Sequence, residues 1–331
     1  MTLSTLLPEM KQIEKIRDDI NIPLNALTFW DDGTITNLTY GELVPSEVTI
    51  AKLCSMYKLS YSHIKTLIAE KRLDLVADQF NHFLSKDSKV MKLRLVGNRI
   101  KGIVAKDYKK FDDYDVFSQV DNYLNDLKLD YNLETINKDD EYTRLRLMFN
   151  DTATNMGIAV EDGTEKDMVK GGFEITNSEI GLRGMSVNSL VYRQVCSNGM
   201  MGWGSDNENN EIFYKRGQDF NPFSRQNILE SGISKAVSKS TENIVLFKKT
   251  KDIVVADPNR EIIKISNRYS LGKNNAEGIQ EAFKCENQNN YFGVINGITR
   301  FAKDNFKRDY RNRSKMEFVA NDVLNKITSK V

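Results

Sequence analysis

Histidine and cysteine are scarce in this sequence: His63 and His82 are its imidazoles, and Cys54, Cys196 and Cys285 its thiols. So few ligands, so far apart, exclude a Cys/His zinc cluster, and the odd, scattered thiols point to a reducing compartment. No run approaches 18 apolar residues, as a membrane-spanning helix requires. The first twenty residues carry Glu9, Lys11, Glu14, Lys15 and Arg17 where a signal peptide needs unbroken apolar chain, so export by that route is not expected. Charge of one sign is also lacking: 47 Lys and Arg against 46 Asp and Glu leave +1, and bulk electrostatics selects no partner. The spacings of a P-loop, a dinucleotide fingerprint, a nucleophile elbow, a kinase core or a zinc protease are absent. The run Gly199-x-x-Gly202-x-Gly204 has no lysine after it and reads as a turn or loop.

What is present fits an ordinary globular chain. With 331 residues, 40% hydrophobic and 28% charged, it is long enough for one large domain or two. Residues 1–88 read as a helical lobe. Pro45-Ser46 opens a segment with Ile50, Leu53, Cys54 and Tyr57 at helical spacing, and Ser46 suits its N-cap. Similar patterns run through Ile64, Leu67 and Ile68, and through Val76, Phe80, Phe83 and Leu84. The expected class is α+β: this lobe, then residues 89–331 as a central antiparallel sheet closed by C-terminal helices.

From Lys89 to Lys110 eight basic residues face one acidic residue, Asp107, and the periodicity turns to alternation. Residues 91–104 predict a hairpin around Gly97-Asn98, because glycine first in a two-residue loop supplies the positive φ of a type II′ turn. That register places Met91, Leu93, Leu95, Ile100 and Val104 on one face and Lys92, Arg94, Arg99 and Lys101 on the other, with Arg94 opposite Lys101. Facing like charges are destabilising, so this face either splays into water or meets an anion. Tyr108, Lys109 and Lys110 follow, and Asp112, Asp113 and Asp115 then cap a helix to about Leu127 or offer carboxylates to Mg²⁺. Residues 143–149 repeat the alternation, with Leu145, Leu147 and Phe149 inward and Arg144 and Arg146 outward. In the tail, Arg300, Lys303, Lys307, Arg308, Arg311 and Lys315 fall within about 140° of arc opposite an apolar stripe, and polar residues near Tyr310 predict a break in the helix.

The most distinctive text is Asn177-Ser178-Glu179-Ile180-Gly181 followed by Tyr192-Arg193-Gln194-Val195-Cys196-Ser197-Asn198-Gly199-Met200. It resembles a phage- and plasmid-borne family known as domain of unknown function 932, with N-S-E-x-G and Y-R-x-x-C-[ST]-N-G-M elements. Stretches from Leu93 to Asp112 and from Gly293 to Arg300 look similar to further family elements. Lys101-Gly102 stands where Arg-Ala is usual, and Lys106 where Ser is usual. The resemblance implies a mobile-element origin, a protein of the host cytoplasm, and a setting in replication, recombination or counter-defence. No cofactor is implied.

Three functions compete on this reading. The first is a binder of nucleic acid, in particular single-stranded DNA, acting in annealing or recombination and able to form homo-oligomers. Its contacts would be Lys92, Arg94, Arg99, Lys101, Tyr108, Lys109, Lys110, Arg144, Arg146, Arg300, Lys303, Lys307 and Arg311, since cations neutralise phosphates and rings stack on bases. The second is a protein-interaction or counter-defence factor that contacts a host or phage protein. The third is a metal-dependent nuclease built on Asp112, Asp113, Asp115 or Glu179. Asn177, Ser178, Glu179, Gly181, Tyr192, Arg193, Cys196, Asn198 and Gly199 are expected to form either one polar site or a brace between two strand ends.

Overall fold

The computed structural model describes residues 2–159, 166–182, 184–193, 198–202, 222–286, 288–307 and 309–329. It is α+β, with helices at both ends and, between them, one mixed and one antiparallel sheet. None of its helices is long and apolar enough to cross a membrane among the described residues.

Helix α1 (Leu3–Lys15) leads into strands β1 (Arg17–Pro23), β2 (Thr28–Phe29), β3 (Ile35–Asn37) and β4 (Gly41–Pro45). Helices α2 (Glu47–Tyr57), α3 (Tyr61–Ala69) and α4 (Leu73–Leu84) match the three helical patterns. Ser46 caps α2, its hydroxyl accepting the Thr49 N–H at 3.1 Å. The basic hairpin forms β5 (Val90–Val96) and β6 (Arg99–Ala105), and Gly97 takes the positive φ its turn requires.

The first sheet runs β1-β5-β6-β4-β3-β2, antiparallel except where β4 meets β6. Its ladders cross the boundary read at residue 88: β1 pairs β5 from Arg17↔Val96 to Pro23↔Val90. Leu53, Ile64 and Phe80 from the helices share one core with Leu93, Leu95 and Ile100 from the hairpin. The reading of residues 1–88 as a mostly helical lobe did not include four strands: β2 to β4 have only two to five residues each, too few to establish an alternation, whereas β1 has seven.

Helix α5 (Asp113–Asp126) connects to the second sheet, formed by β7 (Tyr131–Lys138), β8 (Thr143–Phe149), β9 (Thr154–Ala159), β10 (Lys166–Asn177), β11 (Ser186–Arg193) and β12 (Asn198–Gly202). The order is β12-β11-β10-β8-β7, all antiparallel, with β9 on β10. On one face Leu145, Leu147, Phe173, Ile175 and Val187 pack with α1, α5 and the long α6 (Pro222–Lys249). Helices α7 (Pro258–Arg268), α8 (Lys273–Lys284), α9 (Tyr291–Asn305) and α10 (Tyr310–Thr328) share a further core with Val169, Val191 and Met200. The tail breaks between Asn305 and Tyr310, where polar residues interrupt its apolar stripe.

Candidate functional site

Of the two outcomes open to the basic hairpin face, water or an anion, Arg94 and Lys101 take the second and meet anions inside the molecule. A bulge between Arg94 and Leu95 shifts the ladder, so Arg94 lies opposite Gly102 and not Lys101. The shift relieves the facing like charges. Arg94 is only 1% exposed. Its guanidinium donates to Asp19 Oδ1 at 3.0 Å and Asp112 Oδ2 at 2.9 Å, and also to the Glu179 carbonyl. Lys101 pairs with Glu179 Oε2, and Arg17 Nη2 reaches Glu179 Oε1 at 2.6 Å. Three cations of the first sheet therefore close on carboxylates from α5 and the end of β10.

Glu179 anchors this clamp. It is 1% exposed, and its Oε1 also accepts the Asp113 N–H at 3.0 Å. Burial opposes its ionisation, but Lys101, Arg17 and the more distant Lys138 together hold its carboxyl well below the ordinary range. Asp113 moves the other way. Burial and then the Glu179 charge push its carboxyl up, against Lys138 at 3.2 Å and the Thr143 hydroxyl. Asn177 joins them, donating to Asp113 Oδ1 at 2.9 Å and to the Phe111 carbonyl. Asp112 does take the N-cap position of α5, yet its side chain makes no cap bond and serves Arg94 instead. Asp112, Asp113 and Glu179 are thus engaged by arginine, lysine and amide donors, while Asp115, the remaining carboxylate read as a possible metal ligand, is half-buried. No group of three His, Cys, Asp or Glu suited to a metal occurs among the described residues.

Gly181 shows how tightly the N-S-E-x-G turn is seated. Its φ is +65°, and a Cβ there would lie 2.7 Å from the Tyr108 ring. Ser178 braces the same turn, donating to the Glu141 carbonyl at 2.6 Å and accepting the Leu182 N–H at 3.1 Å.

Above the turn opens a cleft of about 990 Å³. Glu47, Val48, Ala51, Lys52 and Ser55 of α2 with Tyr61 of α3 form one wall; the 139–141 turn forms the other, and Tyr108, Phe111, Asn177, Ser178 and Gly181 line the base. The rim is acidic, with Glu47, Asp139, Asp140 and Glu141 against Lys52. Glu47 accepts from Tyr61 OH at 2.6 Å and from Lys65 at 2.9 Å, and Asp140 pairs with Arg99 at 2.7 Å. Burial first, then the hydrogen bond and charge of Glu47, push the Tyr61 hydroxyl up, with smaller contributions from Cys54 and Glu141.

The second half of the family-like text lies elsewhere. β10 and β11 are antiparallel, and Tyr192 stands opposite Lys170 while Asn177 ends β10 seven residues further on. At about 3.3 Å per residue the two elements are roughly 23 Å apart along the ladder, which excludes a shared site. Tyr192 donates to Glu134 at 2.5 Å, and Arg193 pairs with Glu286 at 2.5 Å. Gly199 stands opposite Tyr192, and a Cβ on it would approach Arg146 Nη1 at 3.1 Å. Asn198 begins β12 opposite Arg193, and Cys196 lies outside the described residues.

No family model, curated protein or solved structure matches the chain. The site's own geometry therefore carries the functional argument.

The alternation read in β8 is correct, but its basic face is not solvent. Every residue of β8 is buried. Arg146 pairs with Glu174 at 2.7 Å, across the ladder, and with Glu317 of α10 at 2.5 Å, while Arg144 lies 3.2 Å from Glu174 and donates to the Tyr310 carbonyl. Lys92 donates to the Tyr108 carbonyl at 2.9 Å, Arg300 pairs with Glu286 at 3.2 Å, and Lys110 stands 3.6 Å from Glu14. Arg99, Lys109, Lys307 and Arg311 are exposed, and Lys303 is half-buried. Sequence reading passed over Glu14, Arg17, Asp19, Lys138, Glu286 and Glu317. The alternation Arg17, Asp19 against Ile20, Ile22 was a usable strand signal; Glu14 and Glu317 in helices and Glu286 in a turn carried none.

Proposed function

We propose that the chain is a binding protein whose interlobe cleft takes a cationic segment of a polypeptide partner. The observation that carries the reading is an acidic rim, Glu47, Asp139, Asp140 and Glu141, with Tyr61 in one wall and Tyr108 and Phe111 in the base. Carboxylates attract lysine or arginine side chains, and aromatic faces add cation–π contact. Arginines that the sequence offered to phosphate, Arg94, Arg144 and Arg146, are spent on internal carboxylates. This favours the protein-interaction reading over an extended nucleic-acid groove. The family resemblance supports a phage or plasmid origin and action in the host cytoplasm. A nucleic-acid partner needs cations outside these internal pairs, and the α9–α10 junction supplies them.

Calorimetric titration with a lysine- and arginine-rich peptide tests the reading. Each rim charge is worth roughly 0.2–1 kcal/mol, so replacing Glu47, Asp139 and Glu141 by Gln, Asn and Gln should weaken the complex by about threefold to 150-fold in total. Equal affinity for wild type and the triple variant, or no binding at low salt, refutes it.

A further inference from the structure

Three glutamates of the C-terminal half turn inward. The side chains of Glu174, Glu286 and Glu317 are at most 4% exposed and pair with Arg144, Arg146, Arg193, Arg300 and Arg313. Lys307, Arg311 and Lys315 do not share in this neutralisation: all three are exposed, and none has a salt bridge within 4 Å among the described residues. The acids beside them on the chain are Asp304 and Asp309. Asp309 is occupied as the N-cap of α10, held below its ordinary range first by the Asn312 N–H and amide and last by Arg311.

Folding does not ask for these cations. Arg311 sits in the first turn of α10, which holds no acidic residue, and a helix N-terminus repels positive charge. Arg313, one turn from Glu317, has a local partner at 2.9 Å; Arg311 and Lys315 point away from it into water. Beside them Tyr310 is half-buried, its ring 5.7 Å from the Arg144 guanidinium, which also lies 5.3 Å from the Tyr142 ring. A half-buried ring, backed by Arg144 and next in the chain to the exposed Arg311, combines the two elements that single-stranded nucleic acid requires, cations for phosphates and an aromatic ring for a base.

We infer that the α9–α10 junction, through Lys307, Arg311, Lys315 and Tyr310, is a contact surface for single-stranded nucleic acid, separate from the acidic cleft. The cations set affinity without sequence preference, and the ring favours unpaired bases over a duplex.

Fluorescence anisotropy of a labelled oligothymidylate across a salt series tests this with the full chain. Wild type should bind at low salt, and Lys307→Gln, Arg311→Gln and Lys315→Gln together should lower affinity at least about tenfold and flatten the logarithmic salt slope by about 2, at roughly 0.7 per phosphate contact. Lys326→Gln, which removes the partner of Asp322 further along α10, should leave the slope unchanged. The cleft variant should bind the oligonucleotide as wild type does, so failure of one site is distinguishable from failure of the other. An unchanged slope in the triple variant overturns the proposal, as does equal binding of a duplex. A changed oligomeric mass at unchanged oligonucleotide affinity also overturns it, in favour of assembly through this edge.

Discussion

Replacing Glu179 by Gln isolates the charge of the clamp while keeping its shape. The glutamine oxygen can still accept the Asp113 N–H and the Arg17 guanidinium, which lie 3.0 and 2.6 Å from Oε1. What is lost is the carboxylate beside Lys101, where the new amide sets donor against donor. Breaking a buried pair costs about 3–5 kcal/mol when the remaining ion is trapped. Two features reduce that here. Lys101 is 12% exposed and can turn to water, and Arg17 keeps Glu14 at 3.0 Å and Asp112 at 3.5 Å. Relief of the repulsion between Glu179 and Asp113 offsets a further part. The expected loss is therefore about 2–3 kcal/mol at pH 7, below the trapped-ion range. Urea unfolding followed by circular dichroism reads it, with a midpoint shift of roughly 1 M at a slope near 3 kcal/mol/M.

The same variant carries a pH signature. Because the folded carboxyl of Glu179 is depressed, its stabilisation is fully present above the ordinary glutamate value of 4.5 and is lost as pH falls towards the folded value. The gap between wild type and Glu179→Gln should be constant from pH 7 to 5 and shrink below about pH 4.5. In a double-mutant cycle, Lys101→Met and Glu179→Gln should be coupled by at least about 1 kcal/mol, since each removes what the other compensates. A loss under 0.5 kcal/mol, or additive effects within that margin, would show that the clamp contributes no net stability and refute the reasoning.

Arg94→Met removes the donor shared by Asp19, Asp112 and the Glu179 carbonyl, leaving Asp112 fully buried, and should cost about 3–5 kcal/mol, measured as a fall in urea midpoint at pH 7. Gly181→Ala meets both a φ of +65° and the Tyr108 ring, and should lower stability by about 1–2 kcal/mol or more in thermal unfolding; a neutral result would mean that the turn relaxes freely.

Local signals were strong enough to read much of this protein from its sequence. The Ser46 cap, the 46–84 helical spacings, the Gly97 turn, the alternation of β8 and the tail break near Tyr310 each depend on residues close in the chain. The acidic, aromatic cleft was not legible, because its walls come from residues 47–61 and 139–141, which no spacing relates. Nor was the fate of the basic faces. An alternating strand states which side chains share a face, but whether that face meets water depends on what covers it. Glu179 and Asp112 cover β5 and β6, and Glu317 of α10 reaches Arg146 from 171 residues away. Charge alternation is a one-dimensional property of the sequence, whereas neutralisation is decided by the three-dimensional approach of a distant carboxylate; that approach turned Arg94, Arg144 and Arg146 from a surface into a core.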